Sequence, residues 1–215
     1  VAGMPEARIE LELDEGALDA FVVWPDTPGR KPPILLLSGP PDGGHGGEST
    51  ARRLSAHNYF VIVPDLTGLA ADDRREAAWA CMDYLADERR VDDSRVGALG
   101  FGGGGDMALR LAADRAERIA AAAAYGGRGF SARTALEISQ RINGLVRIGY
   151  QVGAARRRAG ILEAAFSLSG VLFDTEVYEA EPRWPDLLDF FARALVVPPP
   201  APVAGTNPVH RALNP

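Results

Sequence analysis

Residues 95–105 read Arg95-Val96-Gly97-Ala98-Leu99-Gly100-Phe101-Gly102-Gly103-Gly104-Gly105. Val96 to Leu99 is a short run of small and apolar residues, the composition of a strand buried on both faces. A helix is expected soon after, over about Asp106 to Ala113. Between the two, the chain must reverse its course within a few residues. A turn that tight needs small residues two positions on either side of its apex, and here Gly100 and Gly104 frame Gly102.

Working outward, the same strand-then-helix order repeats. Arg8 to Leu13 alternates with period 2, and Leu18 to Trp24 follows after an Asp14-Glu15-Gly16 turn, so both read as strands. Ile34 to Leu37 and Phe60 to Val63 are continuous apolar runs of buried strands, the second ending at Pro64-Asp65. Helices are expected over about Glu48 to His57 and Arg74 to Glu88. Ile119 to Tyr125 reads as a strand despite its alanines, because it lies between a helix and Gly126-Gly127. Leu145 to Tyr150 and Gly170 to Tyr178 are the last strands, with a helix near Arg156 to Phe166 between them. Pro185 to Leu195 closes as an amphipathic helix. This alternation places the chain in the α/β class, a mainly parallel sheet with helices on both faces. Residues 1–195 form the expected domain, and residues 196–215, with Pro198-Pro199-Pro200, read as a Pro-rich C-terminal tail.

Composition narrows the function. Of 215 residues, 47% are hydrophobic and 24% charged, enough apolar material for one sizeable core. The net charge of −6 argues against nucleic acid, which needs a clustered basic face. No apolar stretch reaches membrane-span length, and Val1 to Glu15 lacks the apolar segment of a secretory signal. The single cysteine, Cys81, excludes an internal disulfide and fits a reducing compartment, so a cytoplasmic location is expected. His45, His57 and His210 are scattered without paired spacing, so neither a metal site nor another cofactor is expected.

The framed turn is the geometry of a nucleophile elbow, G-x-nucleophile-x-G. With it, the paired N-terminal strands, Val63-Pro64-Asp65-Leu66, Met82-Asp83-Tyr84-Leu85 and Val96-Gly97-Ala98-Leu99-Gly100-Phe101 make the chain similar to the dienelactone hydrolase family over most of residues 8–195. The resemblance implies the α/β-hydrolase fold. It also implies a cysteine nucleophile at the apex, where this chain has Gly102. The family's acid falls in Gln151-Val152-Gly153, which holds no carboxylate. The family's histidine falls on Arg183, in Val177-Tyr178-Glu179-Ala180-Glu181-Pro182-Arg183. One oxyanion donor, the N–H of Gly103, is retained. The other falls on Pro40, which has no N–H to give.

The remaining candidates lie on loops after the strand C-termini, where α/β folds build ligand sites. His45, flanked by Asp42 and Glu48, is the candidate acid–base group, with Asp42 as its orienter. Tyr125 ends a central strand and is a candidate weak acid. Pro40, Phe101, Gly102, Gly103, Arg128, Tyr150, Gln151, Arg183 and Trp184 are candidate ligand contacts. Each also has a structural reading: a solvated loop for His45, and strand-end packing for the tyrosines. Ser38 and the Ser167-Leu168-Ser169-Gly170 stretch offer hydroxyls outside any elbow.

A bare apex points away from ordinary acyl transfer. The leading expectation is a non-hydrolytic tailoring enzyme, of cyclase or isomerase type, acting on a hydrophobic small molecule in a setting such as secondary metabolism. The alternatives are a non-catalytic ligand- or protein-binding pseudoenzyme, and a hydrolase with an unorthodox site. Self-association as a homodimer stays open.

Overall fold

A computed structural model describes residues 4–14, 16–38, 47–127, 129–152 and 156–196. It contains an eight-stranded sheet whose strands, in chain order, are β1 (Glu6–Leu13), β2 (Gly16–Val23), β3 (Pro33–Ser38), β4 (Phe60–Pro64), β5 (Val96–Phe101), β6 (Ile119–Tyr125), β7 (Leu145–Gln151) and β8 (Phe173–Tyr178). Their spatial order is β1-β2-β4-β3-β5-β6-β7-β8. β1 and β2 form an antiparallel pair, β2 joins β4 antiparallel, and every later pairing is parallel. The strand order therefore reverses at β3, beside β5. Open α/β sheets form their ligand crevice at such a switch point, outside the strand C-termini.

Among the described residues six α-helices cover the sheet: α1 (Gly47–Ser55), α2 (Ala71–Asp87), α3 (Gly103–Asp114), α4 (Ala132–Ser139), α5 (Arg156–Ser169) and α6 (Trp184–Phe191). Side chains alternate across each strand, so the core divides in two. One face packs Leu35, Leu37, Ala98, Ala122 and Ala124 against residues of α2, α3, α4 and α5, including Met82, Leu109, Ile138 and Phe166. The other packs Ile34, Leu36, Val61, Leu99 and Ala123 against α1 and α6, through Leu54, Leu187 and Phe191. Cys81 is fully buried in the first layer, and burial pushes its thiol pKa up. No described helix is long and apolar enough to cross a membrane.

Two elements differ from the sequence reading. The helix α4 was not expected. Ser131 caps it, its hydroxyl accepting from the N–H of Thr134 at 3.1 Å, and Ala135 and Ile138 bury its inner face. The closing helix starts at Trp184, with Pro185 in its first turn, and its last turn widens to π geometry over Ala192–Val196.

Candidate functional site

β5 meets α3 at Gly102, whose backbone adopts φ 55° and ψ −125°. That positive φ costs glycine nothing and would strain any residue with a Cβ. The frame is enforced by contact. A Cβ on Gly100 would stand 2.0 Å from the Gly104 carbonyl oxygen, and one on Gly104 would stand 2.0 Å from the Leu37 carbonyl oxygen. Only glycine fits at either position. The apex is further held by the Gly102 N–H, which donates to the Tyr125 carbonyl at 2.7 Å. Around Gly103 a Cβ would meet no atom of the described residues within 4 Å.

Beneath the turn lies a buried polar cluster that the sequence reading missed. Arg147 on β7 and Glu176 on β8 form an ion pair at 3.0 Å, with side chains 8% and 5% exposed. The Tyr125 hydroxyl donates to Glu176 Oε2 at 2.9 Å and accepts from Arg147 Nε at 3.0 Å. Arg147 also reaches Asp174 at 2.9 Å. The second oxygen of Glu176 accepts from the Arg183 N–H at 2.6 Å. A continuous chain of hydrogen bonds and covalent links thus runs from Gly102 through Tyr125 and Glu176 to the loop before α6. Both carboxylate oxygens and the phenol are satisfied, as buried polar groups require.

This cluster corrects the reading of Tyr125. Its side chain is 1% exposed, stacked on Phe101 with ring centroids 5.7 Å apart, and its hydroxyl is engaged on both sides. Burial, foremost, holds its pKa well above the ordinary phenol value, with the opposing charges of Arg147 and Glu176 acting on it as well. It is a structural residue and not a free acid at the crevice. Room for its ring comes from Gly149 on β7, where a Cβ would stand 2.0 Å from the Tyr125 ring.

The other candidates divide. Phe101 is part-buried beside the apex. Gln151 is exposed and donates to the Glu179 carbonyl at 3.1 Å, tying the end of β7 to the loop after β8. Val152 is 60% exposed. The Arg183 guanidinium is exposed and lies 3.4 Å from Asp186. Trp184 packs on the second core layer beneath the Arg53 guanidinium, 4.0 Å from its ring centre, so it serves first as a latch to α1. Tyr150 is half-buried against the opposite layer, its pKa raised by burial and then by Glu163. Of the other hydroxyls, Ser169 bonds Ser139 at 2.7 Å in the α4–α5 region. Pro40, Asp42, His45 and Arg128 lie outside the described residues. Among the described residues, no group of His, Cys, Asp and Glu could hold a metal ion.

Residues 69–155, which span the elbow and the strands on either side of it, match the model of the dienelactone hydrolase family. Over that segment the chain is similar to the dienelactone hydrolase family. No curated protein sequence is significantly similar to it. Among solved structures, the fold is shared with a protein assigned as a dienelactone hydrolase from Klebsiella pneumoniae subsp. pneumoniae. The two are 15% identical with a TM-score of 0.77, over 88% of this chain and 99% of that one. A dienelactone hydrolase-like promiscuous phosphotriesterase from metagenomic libraries is 18% identical, with a TM-score of 0.77 over 90% and 100% of the two chains. The 2,6-dihydroxy-pseudo-oxynicotine hydrolase is 17% identical, with a TM-score of 0.74 over 89% and 68%. At these identities the likeness is one of fold, here the α/β-hydrolase fold. Chemistry has to be argued from the site.

Proposed function

We propose that this dienelactone-hydrolase-like protein works without covalent catalysis, as a non-hydrolytic tailoring enzyme of cyclase or isomerase type on a hydrophobic small molecule. The observation that carries the reading is Gly102 at the apex of an intact elbow, with φ 55° and ψ −125°. A glycine has no atom with which to attack an acyl carbon. The aligned acid position, Val152, has no carboxylate, and the aligned histidine position, Arg183, has no base. The elbow frame nevertheless admits only glycine, since a Cβ on Gly100 or Gly104 would stand 2.0 Å from a backbone carbonyl oxygen, and the buried Tyr125–Arg147–Glu176 cluster still ties the turn to the loop at Arg183. Maintained geometry around a missing nucleophile supports a site used for binding and orientation, where much of the barrier to a cyclisation or isomerisation can be removed by holding one conformer.

The sequestration of Tyr125 favours a second reading, a pseudoenzyme that binds its ligand without turning it over, because it removes one candidate acid. Extraction of the purified protein followed by mass spectrometry separates these. A co-purifying small molecule converted, on re-incubation, to a product of the same mass or one lighter by a water supports the tailoring reading. A ligand recovered unchanged supports the pseudoenzyme. Hydrolysis products whose masses together equal the ligand plus one water, formed at enzymatic rates, refute both.

A further inference from the structure

The two edges of the sheet differ. At one edge β1 exposes Glu6, Arg8, Glu10 and Glu12 in alternation, and such charges keep an edge strand from pairing. At the other edge, β8 turns an uncharged face outward. Phe173 packs on Phe166 of α5 with ring centroids 5.5 Å apart, so alternation places Thr175 and Val177 on the same side. Thr175 is exposed. Of the six large hydrophobic side chains exposed among the described residues, four gather here: Val177 on the strand, Leu168 and Leu172 before it, and Val152 beside its end. All four are between 60% and 80% exposed. The backbone follows the same division. The Leu172 carbonyl accepts from the Val146 N–H at 2.9 Å and the Tyr178 carbonyl from the Val152 N–H at 2.8 Å, so even-numbered residues of β8 bond to β7. The N–H and C=O of Phe173, Thr175 and Val177 therefore point away from the sheet, and no described strand pairs with them.

We propose that this edge is a homodimer interface, in which β8 pairs antiparallel with β8 of a second copy about a two-fold axis through Thr175. A second copy fits because the strand is complementary to itself in that register. Phe173 falls opposite the second copy's Val177, and Thr175 opposite its own counterpart. Aromatic with β-branched, and Thr with Thr, are favourable cross-strand pairs. All three positions present outward backbone groups, so each pair exchanges hydrogen bonds. Antiparallel pairing also brings the Leu168 and Leu172 end of one copy to the Val177 and Val152 end of the other, covering both apolar ends at once. A lone foreign strand would satisfy the edge without covering both ends. Charge permits the arrangement. Between residues 160 and 168, α5 exposes Gly160, Ala164, Ser167 and Leu168, none of them charged. On the opposite face Asp174 falls opposite the second copy's Glu176, but each copy brings its own guanidiniums. Arg147 lies 2.9 Å from Asp174 and 3.0 Å from Glu176, and Arg193 lies 3.7 Å from Asp174. The closed two-fold contact uses up the edge in both copies.

Sedimentation of the full chain over a range of concentrations tests this. At the upper end the mass should approach twice the 22.9 kDa of one chain. Thr175→Lys sets two like charges face to face on the axis and should raise the dimer dissociation constant by about tenfold or more. Its circular dichroism should match wild type, since Thr175 is exposed. Thr175→Cys reads the register independently. Across a hydrogen-bonded antiparallel pair the Cα atoms lie about 5.5 Å apart, within disulfide reach, so mild oxidation should link two chains. Val177→Cys, set opposite Phe173, should not link. Cys81 is buried and does not compete. A single-chain mass at every concentration overturns the proposal and leaves the edge to a different partner. A dimer that Thr175→Lys leaves intact overturns it too, as does one in which Val177→Cys cross-links as readily as Thr175→Cys. None of these readouts depends on what binds at the elbow.

Discussion

Glu176→Gln removes one negative charge from the cluster under the elbow and almost no volume. In the native protein that carboxylate accepts from Tyr125 at 2.9 Å, from Arg147 at 3.0 Å and from the Arg183 N–H at 2.6 Å. The amide can still accept from Arg183, but its NH2 group must then face the Arg147 guanidinium. Removing one partner of a buried pair costs about 3–5 kcal/mol, because the other charge is left uncompensated. Here Arg147 keeps Asp174 at 2.9 Å, and Asp174 is 40% exposed, so the loss should lie at the lower end, about 3 kcal/mol. For a chain of this length that lowers Tm by about 6–12 °C. Urea denaturation at neutral pH reads the free energy directly, provided the slope of the transition is unchanged. Tyr125→Phe should cost less, about 1–3 kcal/mol, and should couple to Glu176→Gln in a double-mutant cycle by about 1 kcal/mol. Replacing the pair together, by Arg147→Met with Glu176→Leu, should recover much of the loss, since apolar substitutes for a buried pair are often neutral. A Glu176→Gln loss below about 1 kcal/mol would show that Arg147 and Glu176 behave as a solvent-screened pair and not as a buried one.

The elbow frame gives a sharper contrast. Gly104→Ala places a methyl 2.0 Å from the Leu37 carbonyl oxygen and should prevent folding to soluble protein, whereas Gly103→Ala, one residue away, meets no atom of the described residues within 4 Å and should leave Tm within a few degrees of wild type. Acid stability should depend in part on Glu88. Two hydrogen bonds from the Arg90 side chain, at 2.7 and 2.8 Å, hold its pKa down at about 2. A depressed carboxylate contributes its stability above its unfolded pKa, near 4.3, and loses it as the pH falls toward 2. Glu88→Gln should therefore lower Tm at pH 7 and flatten the fall in Tm between about pH 4.5 and 2. The effect will be modest, because Arg90 is 42% exposed and the pair is partly screened.

The strands were legible because burial on both faces writes itself as continuous apolar runs, and Phe60 to Val63 and Ile119 to Tyr125 fall where the runs do. The elbow was legible for a different reason. Close backbone approach admits only glycine, so Gly100 and Gly104 mark the turn in one dimension. The cluster beneath it left a fainter mark, an arginine inside Leu145 to Tyr150 and a glutamate inside Phe173 to Tyr178. That they meet depends on strand register, since Arg147 pairs with Asp174 across the ladder and Gly149 with Glu176. Tyr125 was misread because strand-end position tells where a side chain starts and not where its hydroxyl goes. The helix α4 carried a signal in Ser131 and Thr134, a cap and the residue whose N–H donates to it, that short amphipathic spacing did not reinforce.

With glycine at the apex, Gly102 offers no nucleophile, and no other residue is expected to take that part. Mixing wild-type protein with an excess of an activated aryl ester, following release of the aryl leaving group on the millisecond scale and then measuring intact mass, tests it most directly. The expected result is no burst, a steady rate at the level of buffer, and an unchanged protein mass. A burst stoichiometric with protein, together with a mass gain of one acyl group, would contradict it.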